Sequence, residues 1–212
     1  MEPEARDTSA VSQFSFVAGA TCLDFTNTLG GLRGLRTQEY LRSYSDLLAW
    51  GVAAHVLSAE SQKALAYLAH ARRPEAEAVL ARAHRLREAI YAIVISLLGG
   101  AHPTLSDVEV LHGELAYAFA HLGLGYTNGG FAWRWEGDET ALDSVLWPIA
   151  RSAADLLLAD AAALVRQCSS DTCSWLFIDG TKNHSRRWCD MRGCGNRAKV
   201  RRHRDLARER QQ

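Results

Sequence analysis

Four of the chain's five cysteines, Cys168, Cys173, Cys189 and Cys194, fall within 27 residues as two C-x4-C knuckles fifteen residues apart. Each knuckle is short enough for both thiolates to reach one ion. Four thiolates in two pairs are the donor set of a closed tetrahedral structural zinc site. A catalytic zinc keeps one position open for water or substrate, and four cysteines leave none. Two other arrangements compete: a pair of disulfides, and four unrelated core cysteines. Disulfides suit exported chains, and no export feature is evident here. Unrelated cysteines have no reason to form two equal knuckles. The expectation is one structural Zn2+ per chain on Cys168, Cys173, Cys189 and Cys194.

The residues between the knuckles fit a small metal module. Trp175-Leu176-Phe177-Ile178 is β-prone, and Asp179-Gly180 is a turn dipeptide that Lys182-Asn183 extends into a loop. Arg186-Arg187-Trp188 leads back to Cys189. The order predicted is knuckle, hairpin, second knuckle, and a helix opening near Gly195-Asn196, as in a treble-clef-like finger. Such a module has almost no apolar core, so the metal must supply much of its folding free energy.

The run Cys189-Asp190-Met191-Arg192-Gly193-Cys194-Gly195-Asn196-Arg197 closely resembles the CGNR zinc finger. Trp175-Leu176-Phe177 and Ala198-Lys199-Val200-Arg201-Arg202-His203 fit the same pattern. Cys22-Leu23-Asp24-Phe25-Thr26-Asn27-Thr28-Leu29 is similar to the opening of the ABATE domain, which precedes this finger in bacterial proteins. Together the two resemblances cover nearly the whole chain. They imply a stress-related transcription regulator: an ABATE-like helical domain over 1–165, acting as sensor or scaffold, and a zinc-dependent DNA-binding finger with a basic C-terminal helix over 166–212.

The elements that must position these residues follow from composition and periodicity. The chain has 212 residues and 48% hydrophobic residues, enough for one well-packed domain with a small appendage. Its formal net charge of zero hides an asymmetry: residues 182–212 hold eleven Lys and Arg against three Asp and Glu. A basic tail on an acidic body points to a polyanion; the plainer alternative is a solvated charge run that offsets the zinc–thiolate centre. Met1–Gln13 has no basic start and no apolar signal core, and the longest apolar run, Ala89–Leu98, is too short to span a membrane. The expected location is the cytoplasm, associated with the nucleoid if the finger binds DNA.

The fold class expected is mainly α: a multihelical body with a small β-hairpin, plus the finger. Cys22–Leu29 reads as the start of a helix in which Cys22 is a small core residue. Gly30, Gly31 and Gly34 then read as a flexible loop carrying Arg33 and Arg36. Ser45 is positioned to cap a helix to about Val56, Ser58 one to about Arg72, and Pro74 the first turn of a third. There Val79, Ala83, Leu86, Ile90, Ile93 and Leu97 recur at four and three spacing, and Gly99-Gly100 ends the run. Ser106 and Glu109 suggest a capping box for a helix through His121, with Leu111, Leu115, Phe119 and Leu122 inside. Asn128-Gly129-Gly130 signals a hairpin whose Phe131, Trp133 and Trp135 share one face and read as core. A last helix is expected over about Glu139–Gln167, restarted at Pro148. It leads directly into Cys168, so the finger docks on the body without a long linker.

No H-E-x-x-H, G-x-S-x-G, Walker A or dinucleotide fingerprint appears, and the eight histidines form no convincing ligand pair. A non-enzymatic role is expected. On a helix Arg197, Arg201, Arg204 and Arg208 fall within a sector of roughly 60° and span about 16 Å, suiting a major groove about 12 Å wide. Lys199 and Arg202 flank this face, and Arg186 and Arg187 could add backbone contacts. Asn196 reads as a knuckle-orienting or capping residue, and Val200, Leu206 and Ala207 as inward-packing. The partner expected is double-stranded DNA; the alternative is a zinc-stabilised protein- or RNA-binding module. A small-molecule effector is a further expectation, in a pocket of Asp24, Asn27, Arg33 and Arg36 walled by Trp147.

Overall fold

The computed structural model describes residues 14–127, 129–137 and 139–209, without the side chains of 127 and 205–209. Its first helix, α1 (Thr21–Thr26), is only six residues long, yet Cys22, Leu23, Phe25 and Thr26 are all buried. A helix this short cannot persist by propensity; it is held by packing. The helix expected through Leu29 ends early, because the Thr26 and Thr28 hydroxyls donate back to the Leu23 and Phe25 carbonyls. The glycines that follow are not a flexible loop. They form a hairpin of β1 (Leu29–Leu32) and β2 (Arg36–Glu39). Gly31 has φ +81°, and a Cβ there would lie 2.0 Å from the Arg36 carbonyl oxygen, so only glycine allows this register.

Ser43, two residues before the expected cap, starts α2 (Tyr44–Ala53). Its hydroxyl accepts the Asp46 N–H and in turn donates to the Asp46 carboxylate, a reciprocal box. Ser58 caps α3 (Ala59–Ala71), and Pro74 lies in the first turn of α4 (Arg73–Leu98), closed by Gly99. In α5 (Leu105–Phe119) the capping pair is Thr104 with Asp107, not Ser106 with Glu109. The 26 residues of α4, about 39 Å at the helical rise, are the spine on which α1, α2, α3 and α5 pack. Its Val79, Ala83, Leu86, Ile90 and Ile93 are buried as their spacing predicts, while Leu97 at the far end is half exposed.

β3 (Leu122–Thr127) and β4 (Gly130–Trp135) form the expected second hairpin. Phe131 and Trp133, read as core, are largely exposed; Trp133 meets the body only through the Arg151 guanidinium, 5.2 Å over its ring, whereas Trp135 packs 5.9 Å from the Trp147 ring. A two-stranded ribbon has no second layer of its own to cover them. The single helix expected over 139–167 is broken into a 3₁₀ turn (Ser144–Leu146), α6 (Trp147–Leu158), a second 3₁₀ turn (Asp160–Leu164) and β5 (Val165–Gln167). Pro148 begins α6. The helix ends early because Val165–Gln167 finds a partner in β6 (Leu176–Ile178). Among the described residues no helix is long and apolar enough to cross a membrane.

Polar bolts complete the body. Arg82 on α4 donates to Glu114 on α5 at 2.8 and 3.0 Å and to Asp143 at 2.9 Å. Arg87, 3% exposed, forks onto Glu39 at 2.6 and 2.7 Å and fixes the β1–β2 hairpin to α4. Burial pushes the Glu39 carboxyl up, but the Arg87 hydrogen bonds, the Leu41 amide and the nearby positive charge together outweigh it and hold the group below the usual carboxylate range. Replacing Arg87 by Ala strands Glu39 against the helix. Urea unfolding of that variant is expected to show a loss of about 3 kcal/mol.

Candidate metal centre and nucleic-acid interface

The first knuckle is the loop of a hairpin. β5 ends at Gln167 and β6 begins at Leu176, and the Cys168 amide donates to the Trp175 carbonyl at 2.8 Å, extending the ladder into the turn. The hairpin expected between the knuckles therefore lies astride the first one. The strand supplied by the end of the body pairs where the later residues were expected to fold back. At the second knuckle, Asp190 accepts the Arg192 and Gly193 amides at 3.2 and 2.7 Å and starts a single π turn, Met191–Gly195. A Cβ on Gly195 would lie 2.9 Å from the Met191 sulfur. α7 (Asn196–Glu209) follows at once. The Asn196 amide donates to the Arg192 carbonyl at 3.1 Å, the orienting role its position predicts.

These elements bring the Sγ atoms of Cys168, Cys173, Cys189 and Cys194 within 4.8 Å of one another, with Cys173–Cys189 at 3.7 Å and Cys189–Cys194 at 3.6 Å. A tetrahedron with Zn–S bonds of about 2.3 Å has S···S edges of about 3.8 Å. A disulfide requires about 2.05 Å, so the spacing is that of a shared ion. All four residues are at most 7% exposed. The Cys168 thiol is pushed down by hydrogen bonds from Cys173 and Cys189, and those two are pushed up by the same contacts with Cys168. Four thiolates at this spacing repel one another, and a divalent ion offsets that repulsion. Arg197 donates to the Cys194 sulfur at 3.0 Å, offsetting part of the negative charge. The donor set fits one structural Zn2+. The fifth cysteine, Cys22, is fully buried in the body, and burial pushes its thiol up to about 12, as befits a core residue.

The body holds this centre mainly through main-chain hydrogen bonds. Asn27 donates to the Leu176 carbonyl and accepts the Leu176 amide, both at 2.9 Å. Ser174 donates its amide to the Gly31 carbonyl at 2.9 Å, and Ile178 donates to Ala18 at 2.7 Å. Arg186 stacks over Phe177 at 4.2 Å and donates to the carbonyls of Val17 at 2.9 Å, Trp188 at 3.1 Å, Ile178 at 3.4 Å and Cys189. Its guanidinium is spent on docking the finger, whereas the sequence reading gave it a phosphate contact. Asp179, fully buried, accepts the Thr181 hydroxyl and amide and the Arg186 amide, and the Thr181 hydroxyl holds its carboxyl below the usual range.

The four residues expected to form an effector pocket do not converge on one. Asp24 accepts the Val17 and Ala18 amides at 2.9 Å; burial pushes its carboxyl up to about 6 against those two donors. Asn27 is consumed by Leu176. Arg33 lies over Tyr91 at 3.8 Å, pairs with Glu88 and donates to the Thr26 carbonyl at 2.8 Å. Arg36 is exposed on β2, and Trp147 stacks on His121 at 4.1 Å and does not line the cavity that Asp24 and Asn27 share. The cavity that Asp24 and Asn27 do line measures about 10 Å³, room for one water at most.

The basic residues of the finger separate into groups. Arg197, Arg201 and Arg204 line one groove of about 600 Å³ together with Arg192, Asn196 and Val200. Arg192 was missed from sequence, where it reads only as knuckle filler; its place in the turn before α7 adds it to the face. Arg201 also pairs with Asp171 of the first knuckle. Lys199 and Arg202 are exposed but do not line the groove, lying on the other side of α7. Arg187 is exposed and lies 5.2 Å over Trp188. Val200, expected inside, is 52% exposed. The side chains of Leu206, Ala207 and Arg208 lie outside the described residues.

Elemental analysis of the purified chain is expected to give one zinc. Cys→Ser at any of the four positions should weaken the site and loosen the finger while the helical body stays folded, and Cys22→Ser should leave the stoichiometry unchanged. Zinc occupancy should fall as pH falls, because protons compete for each thiolate. Asn27→Ala, which strands the Leu176 amide and carbonyl, is expected to cost about 2 kcal/mol in urea unfolding.

Comparison with known families agrees with this geometry. Residues 165–207 match the CGNR zinc finger. Residues 19–160 match the ABATE family, described as "Putative stress-induced transcription regulator". No curated protein matches the chain significantly. With the body matched from α1 through α6 and the four-sulfur centre in the finger, the chain belongs to the ABATE family and carries a C-terminal CGNR zinc finger.

Proposed function

We propose that this protein regulates transcription by binding double-stranded DNA through the basic face of α7, with zinc fixing the base of that helix and the body acting as its scaffold. It works by binding, not as an enzyme. The observation that carries this reading is the alignment of Arg192, Arg197, Arg201 and Arg204 along one groove at the start of an exposed helix. Four positive charges at helical spacing follow a line of phosphates. Arg197, in the first turn of α7, also donates to Cys194, so the metal centre and the basic face are mechanically one unit. Asp171 holds Arg201 in place on the protein, and a phosphate would compete for the same guanidinium.

Arg186 leaves the set of phosphate contacts in this reading, and Lys199, Arg202 and Arg187 contribute general positive potential. Arginine serves phosphates and guanine edges alike, and the phosphate share is the one that salt dependence reads. The test is the salt dependence of binding to duplex DNA. With Arg192, Arg201 and Arg204 replaced by Gln, the slope of log K against log salt should shrink by about 2.7, from three lost counterions, with zinc content unchanged. An unchanged slope overturns the reading, and tighter binding to single-stranded RNA moves the partner from duplex DNA to RNA.

A further inference from the structure

The β3–β4 ribbon carries an apolar face that the described residues leave largely open, reached only at Trp133, where the Arg151 guanidinium lies 5.2 Å over the ring. In its antiparallel register Leu124 faces Trp133 and Tyr126 faces Phe131, and alternation puts all four on one side. They are 64%, 60%, 75% and 73% exposed, in that order. The opposite side carries Gly123, Gly125, Ala132 and the charged Arg134, so it offers little apolar surface to bury. A lone two-stranded ribbon is marginal in water. Aromatic side chains bury roughly 150–250 Å² each, so three of them at this exposure, with Leu124, present about 500 Å². That is near the upper end of what a monomer leaves open.

We propose that a second copy of this chain covers the ribbon, the two apolar faces packing together about a two-fold axis. Area supports this occupant: two such faces bury about 1,000 Å² in total, the threshold for a specific interface. So does symmetry. A two-fold contact needs a self-complementary patch, and Leu124–Trp133 near the base and Tyr126–Phe131 near the tip are pairs of similar bulk and polarity. The ribbon turned end over end meets a surface like its own. The sequence between Tyr126 and Phe131 holds no charged residue. Charge argues against the rivals. Glu136 and Asp155 stand at the base of the ribbon, beside Arg134 and Arg151, leaving no net positive potential to attract nucleic acid or an anionic bilayer.

The experiment is sedimentation equilibrium of the zinc-loaded full chain. Wild type is expected at twice the chain mass of 23.4 kDa, dissociating on dilution. Tyr126→Lys with Trp133→Lys should raise the dimer dissociation constant at least tenfold while helical circular dichroism and zinc content stay unchanged. If that pair disturbs folding, Tyr126→Gln with Trp133→Gln decides by the same readout. Leu97→Lys with Leu158→Lys, on exposed leucines elsewhere, should leave the dimer intact. A wild type that sediments as a single chain at every concentration overturns the proposal. So does a ribbon variant that remains dimeric, or dissociation by the Leu97 and Leu158 pair alone.

Discussion

Two knuckles fifteen residues apart must place four sulfurs in one coordination shell, and the rest of the finger follows from that demand. Sulfurs 3.6 and 3.7 Å apart cannot all ionise without a cation between them. The metal therefore decides whether the finger is a folded object. It does not decide where the finger points. That is set by a seam in which the body treats the finger's backbone as another strand: Asn27 bonds both main-chain groups of Leu176, and Ala18 and Gly31 accept amides from Ile178 and Ser174. Asn27 is fixed in turn because α1 is packed between α4 and α6 and against β6. The direction of α7 is thus tied to the helical core through one buried turn.

The arginines show how little residue type settles by itself. Arg87 is nearly inaccessible and bolts a hairpin to α4; Arg82 joins α4 to α5 and the segment before α6. Arg186 satisfies carbonyls on both sides of the body–finger seam. Arg197 faces a sulfur, and Arg204 is exposed on the groove. A guanidinium offers five donors in a rigid fork, so it serves equally well as an internal brace and as a phosphate contact. Only its surroundings separate the two uses.

A body of this size for a small finger invites the idea of an effector pocket near the first glycines. The side chains there are instead committed to main-chain atoms and to each other, around a space too small for a metabolite. What the body offers is rigidity at the seam and an apolar ribbon on its surface. A scaffold that orients one basic helix and pairs with its own copy would present two such helices, a sufficient reason for a body larger than the finger.

Local chemistry made much of this legible in sequence. The C-x4-C spacing named the ion, since two thiolates with four residues between them reach one centre whatever surrounds them. Ser58, Pro74 and Gly99 marked helix ends because caps act over one turn, and the repeat from Val79 to Ile93 marked a buried face because helical period needs no tertiary context. What depended on a partner was hidden. Val165–Gln167 reads as helix and becomes a strand only because Leu176–Ile178 lies beside it. The stretch of Gly30, Gly31 and Gly34 reads as a flexible loop and becomes part of a hairpin, which Arg87 and Glu39 hold to α4. Phe131 and Trp133 read as core, yet the fold puts no layer over them. Arg186 reads as a free cation until the carbonyls of Val17 and Cys189 close around it. Periodicity and capping are set within a turn of chain, whereas pairing, exposure and the use of a charge depend on atoms far away in sequence, which only the tertiary fold brings near.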